Sequence, residues 1–365
     1  VLEAAGQGAA KITATISDIA GNVSTSSPVT TVTVDALAGF TTTIAGYIVA
    51  GPVVAGNDLQ VGVFKADGTQ IGKAAPVSSN GDYTITFTDS YIGFVLVRVM
   101  DTSDGTGDYL DEATLANKDL NTDLRAVIYI NGSGTYPVNV NVLTEMTVRL
   151  LGLTGGDKGS SNIVLDSIAA NDISQANEKV TNILGLGAID LATSPANVII
   201  DTQAQRNPNA NEYGYALASI SGMEKTKAVS TSVVIDELTQ MITNGALTPA
   251  AKYDVISGAG ATGLDMSAFA KQVGGESIAP IAKAIQTIAA GGVANMTLTP
   301  ADFAAIGVAG VTKDNLSELL SDIATKNNTP SEVQTVSGIT NIVVECIDTT
   351  LTLSLIHISE PTRRS

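Results

Sequence analysis

The stretch PVNVNVLTEMTVRLLGL, residues 137–153, decides the architecture. In its first half Val138, Val140 and Val142 alternate with Asn139 and Asn141, the period of two expected of a strand with one buried face. From about residue 144 the apolar spacing lengthens to near 3.6, the helical period, and keeps that period through most of the remaining chain. The chain therefore reads as β first and α afterwards.

Upstream, residues 37–143 read as a complete antiparallel β-sandwich. Leu59, Val61 and Val63 alternate in one strand, Tyr83, Ile85 and Phe87 in a second, and Val95, Val97 and Val99 in a third. Ala66-Asp67-Gly68, Asn80-Gly81 and Asn131-Gly132 supply the turn chemistry between strands. Before them, residues 1–36 show Ile12, Ala14 and Ile16 on one face and, past Pro28, Val32 and Val34 in the same period. Two or three strands cannot close a sandwich, so this segment is expected to be the C-terminal part of a larger domain.

Downstream, helices are expected at roughly 174–185, 210–222, 230–244, 265–273, 276–290, 300–306 and 313–326. Thr248-Pro249, Thr299-Pro300 and Thr329-Pro330 each place a capping hydroxyl before a proline at the first helical position. Thr329 with Glu332 has the spacing of a capping box. Val234, Leu238, Met241 and Ile242 form an apolar stripe. The Gly-rich runs GLTGGDKGSSN (152–162) and SGAGATG (257–263) lack the residues of a phosphate-binding loop and read as linkers. The helical part divides into a domain at 144–298 and a short unit at 299–352.

Composition narrows the function. Asp plus Glu number 36 against 19 Lys plus Arg, for a net charge of −17. Such a balance disfavours nucleic acid and anionic lipid, both of which need a cationic patch. No run approaches the length of apolar residues that a membrane helix requires, so membrane insertion is not expected. The single cysteine, Cys346, excludes an internal disulfide framework, and there is no Trp. The chain begins at a valine with no leader pattern and is expected to be a fragment. Its last residues, LSLIHISEPTRRS (353–365), resemble a translated sequencing-library adapter. They include His357, the only histidine. Without it there is no ready general base near neutral pH and no imidazole ligand for zinc, so the chain is not expected to be an enzyme.

Several segments resemble parts of large bacterial surface adhesins and biofilm-associated proteins. SDIAGNVS (17–24), followed by a valine-threonine strand ending in Asp35, resembles the end of a tandem bacterial Ig-like repeat. GYIVAGPVVAGNDLQVGVFKADG (46–68), NGDYTITF (80–87) and DYLDEAT (108–114) resemble carboxypeptidase-regulatory-like or prealbumin-like sandwiches. Residues 299–334 resemble short helical repeats with a Gly-Val pair (Gly307-Val308), a Gly-Val-Thr turn (Gly310-Val311-Thr312) whose Thr caps the next helix, and a Thr-Pro-x-Glu-Val start (Thr329 to Val333). PNANEYGYALASISGM (208–223) resembles the helical region following the spacer sandwich in such proteins. The resemblance implies an extracellular spacer at the bacterial cell surface, with neighbouring repeats of the same chain and host-surface or biofilm-matrix ligands as partners.

Two groups of residues are candidate calcium ligands. Asp101, Asp104, Asp108, Asp111 and Glu112 crowd one Gly-rich loop, and clustered carboxylates suit a hard cation wanting six to eight oxygens. Ser103 and Gly105 depart from the EF-hand pattern, and a solvated acidic loop is the alternative. Asp18 and Asn22 lie in the IAGN turn, with Asp35 at the following domain boundary. The adhesin resemblance implies calcium there too, against an Asx-turn closed by its own side chain. Adjacent Asp236 and Glu237 point about 100° apart on a helix and read as solvated surface. The competing functions are a glycan-binding module, against which the scarcity of aromatics weighs, and the non-catalytic part of a secreted enzyme.

Overall fold

In the computed structural model the described residues are 8–34, 39–103, 105, 107–156, 159, 161–165, 168–291, 298–327 and 329–358, with 8–12, 30–34 and 348–358 described as backbone alone. Strands β1 (Gly8–Ile12) and β2 (Thr30–Val34) pair antiparallel as a two-stranded ribbon. The segment between them is exposed throughout, including Ile16, Ile19, Val23 and Val29.

The β region then runs through β3 (Phe40–Val49), β4 (Leu59–Lys65), β5 (Gln70–Pro76), β6 (Asp82–Asp89), β7 (Gly93–Asp101), β8 (Tyr109–Leu110), β9 (Asn117–Lys118), β10 (Leu124–Ile130), β11 (Gly134–Pro137) and β12 (Val140–Asn141). One sheet has the order β10-β7-β4-β5 and is antiparallel throughout. In the other, β6 pairs antiparallel with β3, while β11 and β12 run parallel to β3. The expected sandwich is thus antiparallel except along this one seam. The turn at Asn131-Gly132 does not fold the chain back as a hairpin. It carries the chain from the edge of one sheet to the edge of the other, where it arrives in the direction of β3.

The alternating residues face inward as their period requires. Val61, Val63, Val95, Val97 and Val99 from one sheet and Ile44, Tyr83, Ile85 and Phe87 from the other are buried in one apolar cluster. Gly68 and Gly81 take the positive φ values their turns demand. On the outer face of the first sheet, Phe64, Leu96 and Val127 meet Val148, Leu153 and Leu165 in a second cluster.

The VNVNV stretch is a strand with a local insertion. Asn139 takes the place of a ladder residue: its Oδ1 accepts the Tyr47 N–H at 3.1 Å, and its Nδ2 donates to the Ser194 carbonyl at 2.9 Å. Only glycine fits opposite, because a Cβ on Gly46 would lie 1.8 Å from the Val138 carbonyl oxygen. Asn141 ends β12 with its side chain fully buried and is at once the N-cap of α1 (Val142–Leu150). Its Oδ1 accepts the N–H groups of Leu143 and Thr144, Thr144 reciprocates to the Asn141 N–H, and Asn141 Nδ2 reaches the Tyr213 hydroxyl at 2.7 Å. Strand and helix therefore meet without an intervening loop.

The helical region continues as α2 (Ala170–Ile183), α3 (Glu212–Lys227), α4 (Thr231–Thr243), α5 (Pro249–Ala261), α6 (Met266–Gln272), α7 (Ala279–Ala289), α8 (Pro300–Ala305), α9 (Leu316–Thr325), α10 (Pro330–Val333) and α11 (Val336–Ile358). Thr248 caps α5 through the Ala251 N–H, and Asp302 reaches back to the Thr299 N–H at 2.7 Å. Thr312 and Asn315 cap one another ahead of α9. The capping box expected at Thr329 does not form. The Thr329 hydroxyl donates to the Lys326 carbonyl, and Glu332 instead pairs with the Lys326 ammonium at 3.0 Å. The backbone of 353–358 continues α11, and 359–365 lie outside the described residues.

One departure from expectation lies in α5, whose start at Thr248-Pro249 was expected. Its SGAGA end read as linker, yet Ser257 and Ala259 are fully buried. The glycines serve contact between helices. A Cβ on Gly222 of α3 would lie 1.8 Å from the Gly258 carbonyl oxygen of α5, and one on Gly258 would lie 2.6 Å from the Ser219 carbonyl. Missing side chains let the two backbones touch where period-3.6 hydrophobicity predicts nothing. Beyond this crossing, Tyr253 donates to the Val333 carbonyl at 2.7 Å and Asp254 accepts the Val336 N–H at 2.8 Å, which tie α10 and α11 to α5. The unit at 299–352 thus packs onto the preceding helices. Gly222→Ala is expected to cost about 2–4 kcal/mol, because the backbone carbonyl it meets cannot step aside, and a urea melt will read the loss.

Candidate functional site

Three carboxylates converge at one end of the first sheet. Asp101 ends β7, Asp108 precedes β8 and Asp58 precedes β4, and oxygens from all three lie within 4.8 Å of one another. The pairing of Leu59 with Asp101 across β4 and β7 is what sets Asp58 beside the loop. Asp108 is fully buried. Its Oδ1 accepts the Asp58 N–H at 3.3 Å and its Oδ2 the Leu120 N–H at 2.9 Å. Asp101, also buried, accepts the Ser103 N–H at 2.9 Å, and the Ser103 hydroxyl donates to Asp58. Burial first, then the Asp101 and Asp58 charges, push the Asp108 carboxyl up to about 6 against the two N–H donors that lower it. Three carboxylate oxygens at this spacing could hold a metal ion, whose charge would relieve the mutual repulsion.

The five acidic residues expected to act together are divided. Asp101 and Asp108 join the cluster, Asp104 lies outside the described residues, Asp111 instead accepts the Ser221 hydroxyl of α3, and Glu112 is buried outside the cluster. Asp58 was not anticipated. Its signal was strand pairing rather than nearness in sequence. In the IAGN turn Asp18 accepts the Asn22 backbone N–H at 2.9 Å and the Asn22 amide at 2.8 Å, so the two close on each other. The Asn22 side-chain bond, followed by the Asn22 backbone bond, holds the exposed Asp18 carboxyl below its ordinary range. Asp35 lies outside the described residues.

A second charged constellation is wholly structural and gave no sequence signal. Arg125 on β10 and Glu145 on α1 are both inaccessible to solvent and form a two-pronged pair at 2.9 and 2.6 Å. Glu145 also receives Arg149 at 2.9 Å, and Arg149 continues to the Ser232 carbonyl and to Asp236 on α4. Asp236 is therefore an ion-pair partner as well as a surface group, and Glu237 pairs with Lys227 at 2.9 Å. Glu145→Gln is expected to destabilise by about 3–5 kcal/mol, since it leaves two buried guanidinium groups facing a neutral amide. Chemical denaturation will measure the loss.

An open groove of about 380 Å3 lies between β10, β11, α1, α2 and residues 190–193. Phe94, Tyr129 and Tyr136 line it together with Asn177 and Asp190. Phe94 and Tyr129 meet edge to face with centroids 5.0 Å apart, and Tyr129 is 49% exposed. No protein-family profile, curated protein or solved structure matches the chain. Among the described residues no helix is long and apolar enough to cross a membrane.

Proposed function

We propose that the chain is a non-catalytic structural and adhesive module of a large bacterial surface protein. It works outside the cell as a spacer that projects a distal binding region, with neighbouring repeats on either side. In this reading β1 and β2 belong to an Ig-like repeat, the sandwich is the spacer domain, and 299–352 is a short helical repeat. The observation that carries the proposal is the core: one continuous apolar cluster runs from Ile44 in β3 to Cys346 in α11, so sandwich and helices are packed as one body. A body of that kind transmits a pull without flexing at its middle. The acidic surface, with a net charge of −17, keeps adjacent modules apart.

Calcium at Asp58, Asp101 and Asp108 belongs to the same proposal, since a bridged cluster would fasten the 102–108 loop to the sheet. A calorimetric scan of the chain is expected to give a single transition for the sandwich and helices. Two separated transitions would refute the rigid-spacer reading. Calcium at about a hundred times its Kd is expected to add about 2.7 kcal/mol of stability, and Asp108→Asn is expected to abolish that gain. Addition of calcium without any shift would remove the cation from the proposal.

One observation favours a second reading, a module that binds a neutral glycan. The half-exposed Tyr129 ring, with Phe94 and Tyr136 beside it, offers apolar faces next to Asn177 and Asp190. A glycan array settles the choice. Saturable binding lost in Tyr129→Ala would establish the glycan module, and an empty array would leave the spacer.

A further inference from the structure

The loop joining β8 to β9, residues 111–116, is clasped by α3, and the clasp is built from ionisable groups. Asp111 accepts the N–H groups of Ala113 and Thr114 at 3.2 and 2.7 Å, and through its other oxygen the Ser221 hydroxyl at 3.0 Å. The Ala113 N–H also reaches the Ser221 hydroxyl. From α3, Lys225 donates to the Ala113 carbonyl at 2.6 Å. Glu224 receives the Lys118 ammonium, which also lies 3.9 Å from Asp111. Glu112, 2% exposed, lies within electrostatic reach of Asp111, Glu224 and Lys118, with Oε1 buried and lacking any hydrogen-bond partner.

Two carboxylates, Asp111 and Glu224, act on Glu112 and disfavour its charge, and the one cation that acts on it, Lys118, is already shared between those two. Tyr109, on β8, is held in its neutral phenol form by burial. If Glu112 ionises, a third carboxylate joins two that already share Lys118, and its buried oxygen acquires a charge with no hydrogen-bond donor to receive it.

We infer that the contact between the 111–116 loop and α3 is a proton-controlled latch, closed while Glu112 is protonated and loosened when it ionises. Burial, followed by the Asp111 charge, pushes the Glu112 carboxyl up to about 8 in the closed form. In an opened loop the group returns to an ordinary value of about 4.3. The closed form therefore holds more protons than the open one between those two values. Latch stability is fully present below the lower value, is lost progressively as pH rises, and levels off above about 8. One proton leaves per opening, so the opening constant is expected to rise about tenfold per pH unit across most of that window.

Hydrogen exchange of the Ala113 and Thr114 amides in the intact chain, corrected for intrinsic exchange at each pH, reads this constant directly. The expected result is protection falling about tenfold per unit between roughly pH 5.5 and 7.5, with the slope abolished in Glu112→Gln. Constant protection, or the same slope in the variant, overturns the latch. Should Glu112→Gln fail to fold, carboxyl-carbon NMR of the unaltered protein decides instead. A Glu112 midpoint near 8 supports the inference, and one below about 6 refutes it.

Discussion

Arg125 and Glu145 are complementary ions at positions that water does not reach, one on the last strand of the first sheet and one on the first helix. Neither tolerates the loss of the other, because an isolated charge in that interior would be prohibitively costly. Their bidentate geometry fixes the angle at which α1 leaves the sandwich. Arg149 extends the constraint to α4, and Asn141 extends it through Tyr213 to α3. The helical region is thus oriented by a few polar bonds at the base of α1, and apolar packing fills in around them. Burial alone is non-directional and would accept many orientations.

Where periodicity is strict, the sequence was informative. The valines of β4 and β7 and the Tyr83-Ile85-Phe87 run of β6 lie inward as read, and α4 buries Val234, Leu238 and Ile242 on one side. What escaped reading depended on partners remote in the chain. The SGAGA end of α5 is helical because α3 brings its own glycine to it, and a local reading sees only flexible residues. The parallel seam of β11 against β3 depends on which sheet the chain enters after Asn131-Gly132, which no turn motif specifies.

The candidate cation site was half legible for the same reason. Asp101 and Asp108 stood out by crowding in one loop, but crowding could not say which neighbours face together. The register of β4 against β7 adds Asp58, and the packing of α3 withdraws Asp111. Proximity in sequence therefore overstated one group of carboxylates and concealed a member of another.

The parallel seam governs how the sandwich would bear a load. Phe40, where β3 begins, follows the ribbon in the chain, and Asn141, where β12 ends, passes directly into α1. Tension applied through these two points drags neighbouring parallel strands lengthwise past each other. The bonds between β3 and its partners β11 and β12 are then strained together, in shear, and cannot open one after another as a zipper does. Strands laid in that sense turn a row of individually modest hydrogen bonds into a joint that yields all at once or not at all.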